Sequence, residues 1–276
     1  MNGTQRPPYR NVIVATDGSP LAATALAGGS ILADRTGAEL HVFHAAWDET
    51  GETSAAEQAN SLLAKSLLGG RRIRLTVRDL PAASASPAPL IVDYCAEVGD
   101  AVVVLGTHGR GGIGATFLGS TARDLIGLTA DPFIAYGPEA KVPVEVQRVV
   151  ACVDGSEFSE ASIAEAVRWA LALKVGLWLT QVVPPDLPYY VTVFENTYVH
   201  NLAKDLAGIG TKVEWEVLHS DSATDAIIDS FGDDPATMLV MATHGRSGLQ
   251  RIRLGSVAGD VVKRARGPVS MHRPAG

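Results

Sequence analysis

The chain has 276 residues, of which 46% are hydrophobic and 19% charged, and its formal net charge is -7. This apolar content excludes a mainly disordered protein, and the length accommodates one large domain or two small ones. The acidic balance disfavours non-specific nucleic-acid binding, which depends on neutralising phosphates. Two cysteines exclude a disulfide framework, and no apolar run reaches the roughly 18 residues of a membrane span. We therefore expect a cytoplasmic protein without membrane or nucleic-acid partners.

The first half of the chain alternates between short apolar runs and helix-forming segments. The run at 11–16 is continuous and rich in β-branched residues, which is typical of a strand buried on both faces. Ser19 and Pro20 then supply an N-cap and a first helical residue. Strands are predicted at 11–16, 39–45, 72–78, 101–105 and 132–136, and helices at 22–33, 54–68, 90–97 and 120–128.

The second half repeats this order of elements. Strictly alternating strands and helices, with apolar strands, favour a parallel sheet covered by helices on both faces. The predicted fold class is therefore α/β, with a five-stranded Rossmann-like or flavodoxin-like domain in each half. Strands are predicted at 148–153, 177–183, 212–218, 237–241 and 268–272, and helices near 160–172, 196–207, 224–231 and 257–264.

The sequence also contains an internal duplication. Three pairs of segments match at offsets of 136 or 137 residues, namely 12–19 with 149–156, 106–110 with 242–246, and 118–120 with 254–256. Collinear matches at a nearly constant offset indicate two copies of one domain. We therefore predict domains at 1–140 and 141–276, joined near the Pro- and Gly-containing stretch 137–143.

Two features of the first copy follow predicted strands at their carboxyl ends, where open α/β sheets bind ligands. Asp17 follows the first strand, and the pattern Gly106-x2-Gly109-x9-Gly119-Ser120 follows the fourth. Glycines let the backbone approach a phosphate, and a helix that begins at Ser120 offers free N–H donors. An aspartate can accept hydrogen bonds from a ribose or an adenine amino group. The alternative reading, turn glycines and a helix boundary, is weakened because both copies keep the nine-residue spacing.

This composite motif resembles that of tandem universal stress proteins of the ATP-binding kind. The first copy carries it in full, and the second has Ala242 in place of the first glycine. Alanine at this position carries a cost if the backbone there needs a positive φ. The matching residues of the second copy are Asp154, Gly245, Gly255 and Ser256.

The resemblance implies further properties of the site and the assembly. The backbone of Ala45 and Val182 is expected to contact adenine, and Thr121 and Val257 are expected to contact phosphate. The expected ligand is ATP, with Mg²⁺ as its companion ion. The implied strand order is 3-2-1-4-5. Family members commonly dimerise through strand five, so we expect a homodimer or a pairing of the chain's own halves, and a protein partner not yet identified.

Three functions are compatible with the sequence. The main hypothesis is an ATP-binding regulator or sensor of the stress response, without catalytic residues. The second is a slow ATPase, for which His108 and His244 are the only candidate acid–base groups beside the proposed phosphates. The third is a structural or chaperone-like dimer whose second site is vestigial, a reading that draws on Ala242. Efficient P-loop hydrolysis is not expected, because Ser120 stands where a P-loop has its lysine.

Overall fold

The computed structural model describes residues 8–47, 73–80, 86–107, 119–129, 131–141, 143–186, 189–243 and 254–273. In this part of the first half, the strands are β1 (Asn11–Thr16), β2 (Glu39–Trp47), β3 (Ile73–Leu80), β4 (Ala101–Gly106) and β5 (Phe133–Tyr136), and the helices are α1 (Pro20–Thr36), α2 (Ala88–Val98) and α3 (Ser120–Leu128). The predicted cap of α1 is present, since the Ser19 hydroxyl accepts a hydrogen bond from the Ala22 N–H. The helix predicted at 54–68 lies outside the described residues.

In the second half, the strands are β6 (Arg148–Val153), β7 (Gly176–Val183), β8 (Val213–His219), β9 (Thr237–Ala242) and β10 (Val269–His272), and the helices are α4 (Glu157–Leu173), α5 (Tyr189–Asp205), α6 (Ala223–Ile227) and α7 (Ser256–Arg264). A π-helical turn, Ile228–Gly232, continues α6. Helix α5 begins earlier than predicted, at Tyr189, and packs against β7 and β8.

The strands form one sheet in the order β3-β2-β1-β4-β5-β10-β9-β6-β7-β8. All pairings within each half are parallel, so each half has the predicted order 3-2-1-4-5 and the predicted fold class is confirmed. The halves meet where β5 and β10 pair antiparallel, with Ile134 opposite Ser270. The two five-stranded sheets are therefore continuous.

The sheet has a hydrophobic core on each face. One core packs α1, α4 and α5 against the sheet, and the other packs α2, α3, α6 and α7 against the opposite face. Central strand residues such as Val14 and Val150 are fully buried, as a sheet covered on both faces requires. No helix among the described residues is long and apolar enough to cross a membrane.

The amino-terminal segment of the first half packs on helix α4 of the second. The Tyr9 ring lies 5.7 Å from the Trp169 ring, between centroids, and its hydroxyl donates to a Glu165 carboxylate oxygen at 2.8 Å. The Arg168 guanidinium lies 4.5 Å from the centre of the Tyr9 ring. On helix α1, Arg35 donates to the Leu173 carbonyl at the end of α4, at 3.1 Å. These contacts join the halves on the α1–α4 face.

The chain also crosses between halves directly after β5 and after β10. Gly137 lies so close to α7 that a Cβ added there would be 1.7 Å from the Val262 carbonyl oxygen. At the equivalent place after β10, the Arg273 guanidinium donates to the Ile126 carbonyl at 3.0 Å and the Gly127 carbonyl at 3.2 Å. Each half therefore contacts the carboxyl-terminal turns of the helix that precedes strand five in the other.

Buried Glu165 makes the stability of the folded chain depend on pH. Its side chain is 3% exposed, and burial raises the carboxyl pKa above its ordinary value of 4.5, an effect only partly opposed by the Tyr9 hydroxyl and Arg168. The folded state therefore keeps a proton that the unfolded chain loses, and this group lowers stability as the pH rises above 4.5 toward the raised pKa.

We expect Glu165→Gln to remove this decline, because the amide stays neutral and still offers an acceptor to Tyr9. Urea unfolding from pH 4.5 to 8 measures it. The variant should gain stability relative to wild type as the pH rises, and the gain should then level off. Stability curves that run parallel at every pH would contradict this role for Glu165.

Candidate functional site

An aspartate follows the central strand of each half. The Asp17 carboxylate accepts from the Ser19 N–H at 2.9 Å, and the Asp154 carboxylate accepts from the Ser156 N–H at 3.0 Å. A glycine in the left-handed region follows each aspartate, with φ of 76° and 81°. Because both turns are built the same way, both carboxylates are held at the carboxyl end of their sheet.

A backbone hydrogen bond joins the two ends of each glycine-rich loop, one after β4 and one after β9. The Gly119 N–H donates to the Thr107 carbonyl at 2.6 Å, and the Gly255 N–H donates to the Thr243 carbonyl at 2.8 Å. Both threonines are 1% exposed, so these closures rest on buried backbone. The interiors of the loops lie outside the described residues, and with them the predicted site residues Gly109 and Gly245 and the histidines His108 and His244.

A helix N-terminus follows each loop closure. Helices α3 and α7 begin at Ser120 and Ser256, and their N-cap residues are glycines, which have no side chain to accept from the first-turn N–H groups. Neither first turn contains an acidic residue. Helix N-termini of this kind attract anions, because their N–H donors lack intrahelical acceptors and the helix dipole is positive there. Both serines are exposed at this edge, and Thr121 and Val257 beside them are half-buried.

In the second half, the described site residues surround one cavity of about 240 Å³. It lies at the carboxyl ends of β6, β7 and β9, between α6 and α7. The predicted residues Asp154, Val182, Gly255, Ser256 and Val257 all line it, and so does Ala242. The structure thus brings together every described site residue of this half, and their contact with a ligand stays a prediction.

The floor of this cavity contains residues that the sequence analysis did not identify. Cys152 on the central strand is in register with Thr180 on β7 and Met241 on β9, and all three line the cavity. Each looks like an ordinary strand residue, and only strand register places them together. Burial raises the pKa of the Cys152 thiol to about 12, so it stays protonated at neutral pH and is no nucleophile.

In the first half, the corresponding site residues follow neighbouring strands. β1 lies between β2 and β4, with Thr16 opposite His44. Asp17, Ala45 and Gly106 therefore lie at adjacent strand ends, as the predicted strand order requires. Phe43 occupies the position that Thr180 has in the second half, and its ring is buried 5.2 Å from that of Tyr94, between centroids.

The difference between Gly106 and Ala242 has a steric cause. The φ of Gly106 is not positive, so the backbone there does not itself require glycine. A Cβ at Gly106 would instead lie 2.9 Å from the Leu21 Cγ and 3.1 Å from its backbone carbon. In the second half the residue equivalent to Leu21 is Phe158, whose side chain is 41% exposed, and Ala242 is accommodated with 9% exposure.

Comparison with known proteins finds relatives that match most of the chain. A universal stress protein of Mycobacterium tuberculosis is 30% identical over an alignment of 230 residues that covers 76% of this chain and 73% of that protein. A universal stress protein of Mycolicibacterium smegmatis is 29% identical over an alignment of 238 residues that covers 82% of this chain and 78% of that protein. The structure of a universal stress protein from Archaeoglobus fulgidus matches with a TM-score of 0.68 at 16% identity, over 97% of this chain and 99% of that one.

Fold and site together define a doubly wound α/β protein in tandem form, with a helix N-terminus at the carboxyl edge of the sheet in each half. The model of the universal stress protein family matches residues 8–134 and 145–273. The chain belongs to the universal stress protein family.

Proposed function

We propose that this chain is a cytoplasmic, ATP-binding regulator of the stress response with one nucleotide site in each half. The observation that carries the proposal is the second-half cavity, where Asp154, Val182 and the Gly255–Val257 turn meet below the start of α7. An acidic side chain, an apolar wall and a helix N-terminus are the groups that a ribose, a base and a phosphate need, respectively.

The parts of the nucleotide have distinct places in this arrangement. The phosphates extend to the N–H groups at the start of α7, where the dipole favours negative charge. The ribose hydroxyls donate to Asp154, and the base enters the cavity beside the Val182 backbone. At about 240 Å³ the cavity is smaller than the roughly 300–1,000 Å³ usual for whole ligands, which fits a base and sugar with the phosphates outside. Mg²⁺ would arrive bound to the phosphates.

Regulation then follows from linkage between the site and the rest of the chain. The cavity is bounded by α6 and α7, and α7 also contacts Gly137 between the halves. A ligand that binds one arrangement of these elements more tightly shifts the protein toward it, and a protein partner that distinguishes the two arrangements reads nucleotide occupancy. The ATPase alternative depends on His108 and His244. The steric fit of Ala242 argues against the other alternative, a vestigial second site.

Calorimetric titration with Mg-ATP tests the proposal. We expect two ATP per wild-type chain, one in Ser120→Glu, one in Ser256→Glu and none in the double variant. Each introduced carboxylate occupies the helix N-terminus proposed for phosphate and repels it, and both serines are exposed, so the fold should tolerate the change. At 100-fold excess over the dissociation constant, ATP should add about 2.7 kcal/mol to the stability of the site-intact protein.

The matched controls are Ser120→Gln and Ser256→Gln, which have the size of glutamate without its charge. They should bind more tightly than the glutamate variants. The proposal is refuted if the nucleotide-stripped wild-type protein gives neither heat nor thermal stabilisation with ATP. Equal ATP affinity in the glutamate and glutamine variants would show that the phosphates do not bind at these helix N-termini.

A further inference from the structure

Thr180 carries a buried hydroxyl that forms no hydrogen bond with the described part of the chain. The residue is 1% exposed, lines the second-half cavity, and its Oγ1 has no hydrogen-bond partner among the described residues. Buried hydroxyls are nearly always hydrogen-bonded, because removing one from water without a new partner costs free energy. A hydroxyl left unpaired beside a cavity points to a partner that enters the cavity.

The rest of the cavity floor is apolar. In the register of the three strands Cys152 lies between Thr180 and Met241, and burial keeps the Cys152 thiol protonated by raising its pKa. A protonated thiol and a thioether are weak hydrogen-bonding groups, so a flat apolar ligand face suits both. The Thr180 hydroxyl donates and accepts, and therefore suits the edge of a heteroaromatic ring that carries nitrogen atoms or an amino group.

The first half does not repeat this arrangement. Phe43 replaces Thr180, and its buried ring packs against Tyr94 of α2. Ala15 and Leu105 replace Cys152 and Met241 in the same register. The equivalent position therefore offers a hydrocarbon surface in one half and a hydroxyl in the other, so the two sites contact the base differently.

We infer that the second-half cavity takes a purine base whose polar edge hydrogen-bonds to the Thr180 hydroxyl, which makes Thr180 a specificity-determining residue of that site alone. The inference rests on the proposed nucleotide binding and adds the group that recognises the base. The base enters beside Val182 and lies over Cys152 and Met241, while Asp154 and Ser256 at the cavity wall meet the sugar and the phosphates.

The test is an ATP titration of the Ser120→Glu chain, in which only the second site binds, with Thr180→Val and Thr180→Ser added. Valine keeps the shape of threonine and removes the hydroxyl, so we expect ATP affinity to fall roughly 3- to 10-fold, the usual worth of one neutral hydrogen bond. Serine keeps the hydroxyl and should bind within about twofold of threonine on the same grounds.

Melting without ATP supplies the second measurement. Thr180→Val should raise the melting temperature of the nucleotide-free protein, because it removes a buried hydroxyl that has no partner. The matched control is Thr237→Val on β9, where the replaced hydroxyl accepts from Arg148 at 2.6 Å and donates to Asp234 at 3.2 Å. That change should lower the melting temperature.

The outcomes separate this inference from the proposed function. If the Ser120→Glu chain binds no ATP while wild type also binds none, the nucleotide-binding proposal fails and the inference fails with it. If ATP binds with equal affinity to the threonine, serine and valine forms, only the role of Thr180 fails. A fall in the nucleotide-free melting temperature of Thr180→Val, with unchanged ATP affinity, would make the hydroxyl structural and overturn the inference.

Discussion

Replacing Gly137 with alanine should destabilise the protein by about 3 kcal/mol or more, the upper end of the usual cost of overpacking. The added Cβ would lie 1.7 Å from the Val262 carbonyl oxygen and 2.8 Å from its carbon. Both atoms belong to the backbone of α7, so no side-chain rotation can relieve the overlap. Either α7 or the chain after β5 must move, although Val261 and Val262 of α7 are buried in the core and β5 is paired with β10.

Urea unfolding followed by circular dichroism measures this loss, and amide exchange at Ile134 and Ser270 reports whether the β5–β10 pairing opens. The matched control is Gly176→Ala, because a Cβ at Gly176 would meet its nearest neighbour at an ordinary 3.8 Å. That variant should stay within about 0.5 kcal/mol of wild type. If Gly137→Ala has the same midpoint of urea unfolding as wild type, Gly137 does not lie as close to α7 as described above.

Replacing Trp169 with alanine should cost about 3–5 kcal/mol, the usual range for removing a buried aromatic side chain. Trp169 is fully buried on α4, and the Tyr9 ring that packs against it comes from the other half. The substitution therefore leaves a cavity in one half and removes the surface to which the amino-terminal segment of the other half binds. Trp169→Phe should lose less stability than Trp169→Ala, because it keeps an aromatic partner for Tyr9.

Chemical unfolding of both Trp169 variants measures the difference, and Trp215→Ala is the control. Trp215 on β8 is 37% exposed and contacts His200, so its loss removes a tryptophan at small cost, under about 1 kcal/mol. Similar losses for Trp169→Ala and Trp215→Ala would show that the contact between the halves adds little to stability.

Local sequence determined most of the fold correctly. The run at 11–16 is a strand because its residues are apolar and β-branched on both faces, and Val12, Ile13 and Val14 are at most 1% exposed. Residues 228–232 behave differently, since one helix predicted at 224–231 divides into α6 and a π-helical turn. A π-turn adds a residue to the helical repeat, and the hydrophobic period alone does not predict it.

The residues of the candidate site also fall into two groups, those that the sequence predicted and those that it did not. Asp17, Asp154 and the loop glycines were predicted because a repeated motif marks them in the sequence. Thr180 and Met241 were not, because a threonine and a methionine in apolar strands carry no local signal. They become neighbours of Cys152 only through the register of three strands that are far apart in the chain.

The antiparallel contact between β5 and β10 has a genetic consequence. Its ladder has three residue pairs, which is a small contact area for holding two separate chains together. The short connection at 137–147 makes the pairing intramolecular, so its effective concentration is roughly in the millimolar range. In a dimer of identical chains every mutation appears in both sites at once. Here one half can change while the other keeps its residue, as the difference between Phe43 and Thr180 shows. Under the proposed nucleotide binding, one chain would then have two sites of different affinity.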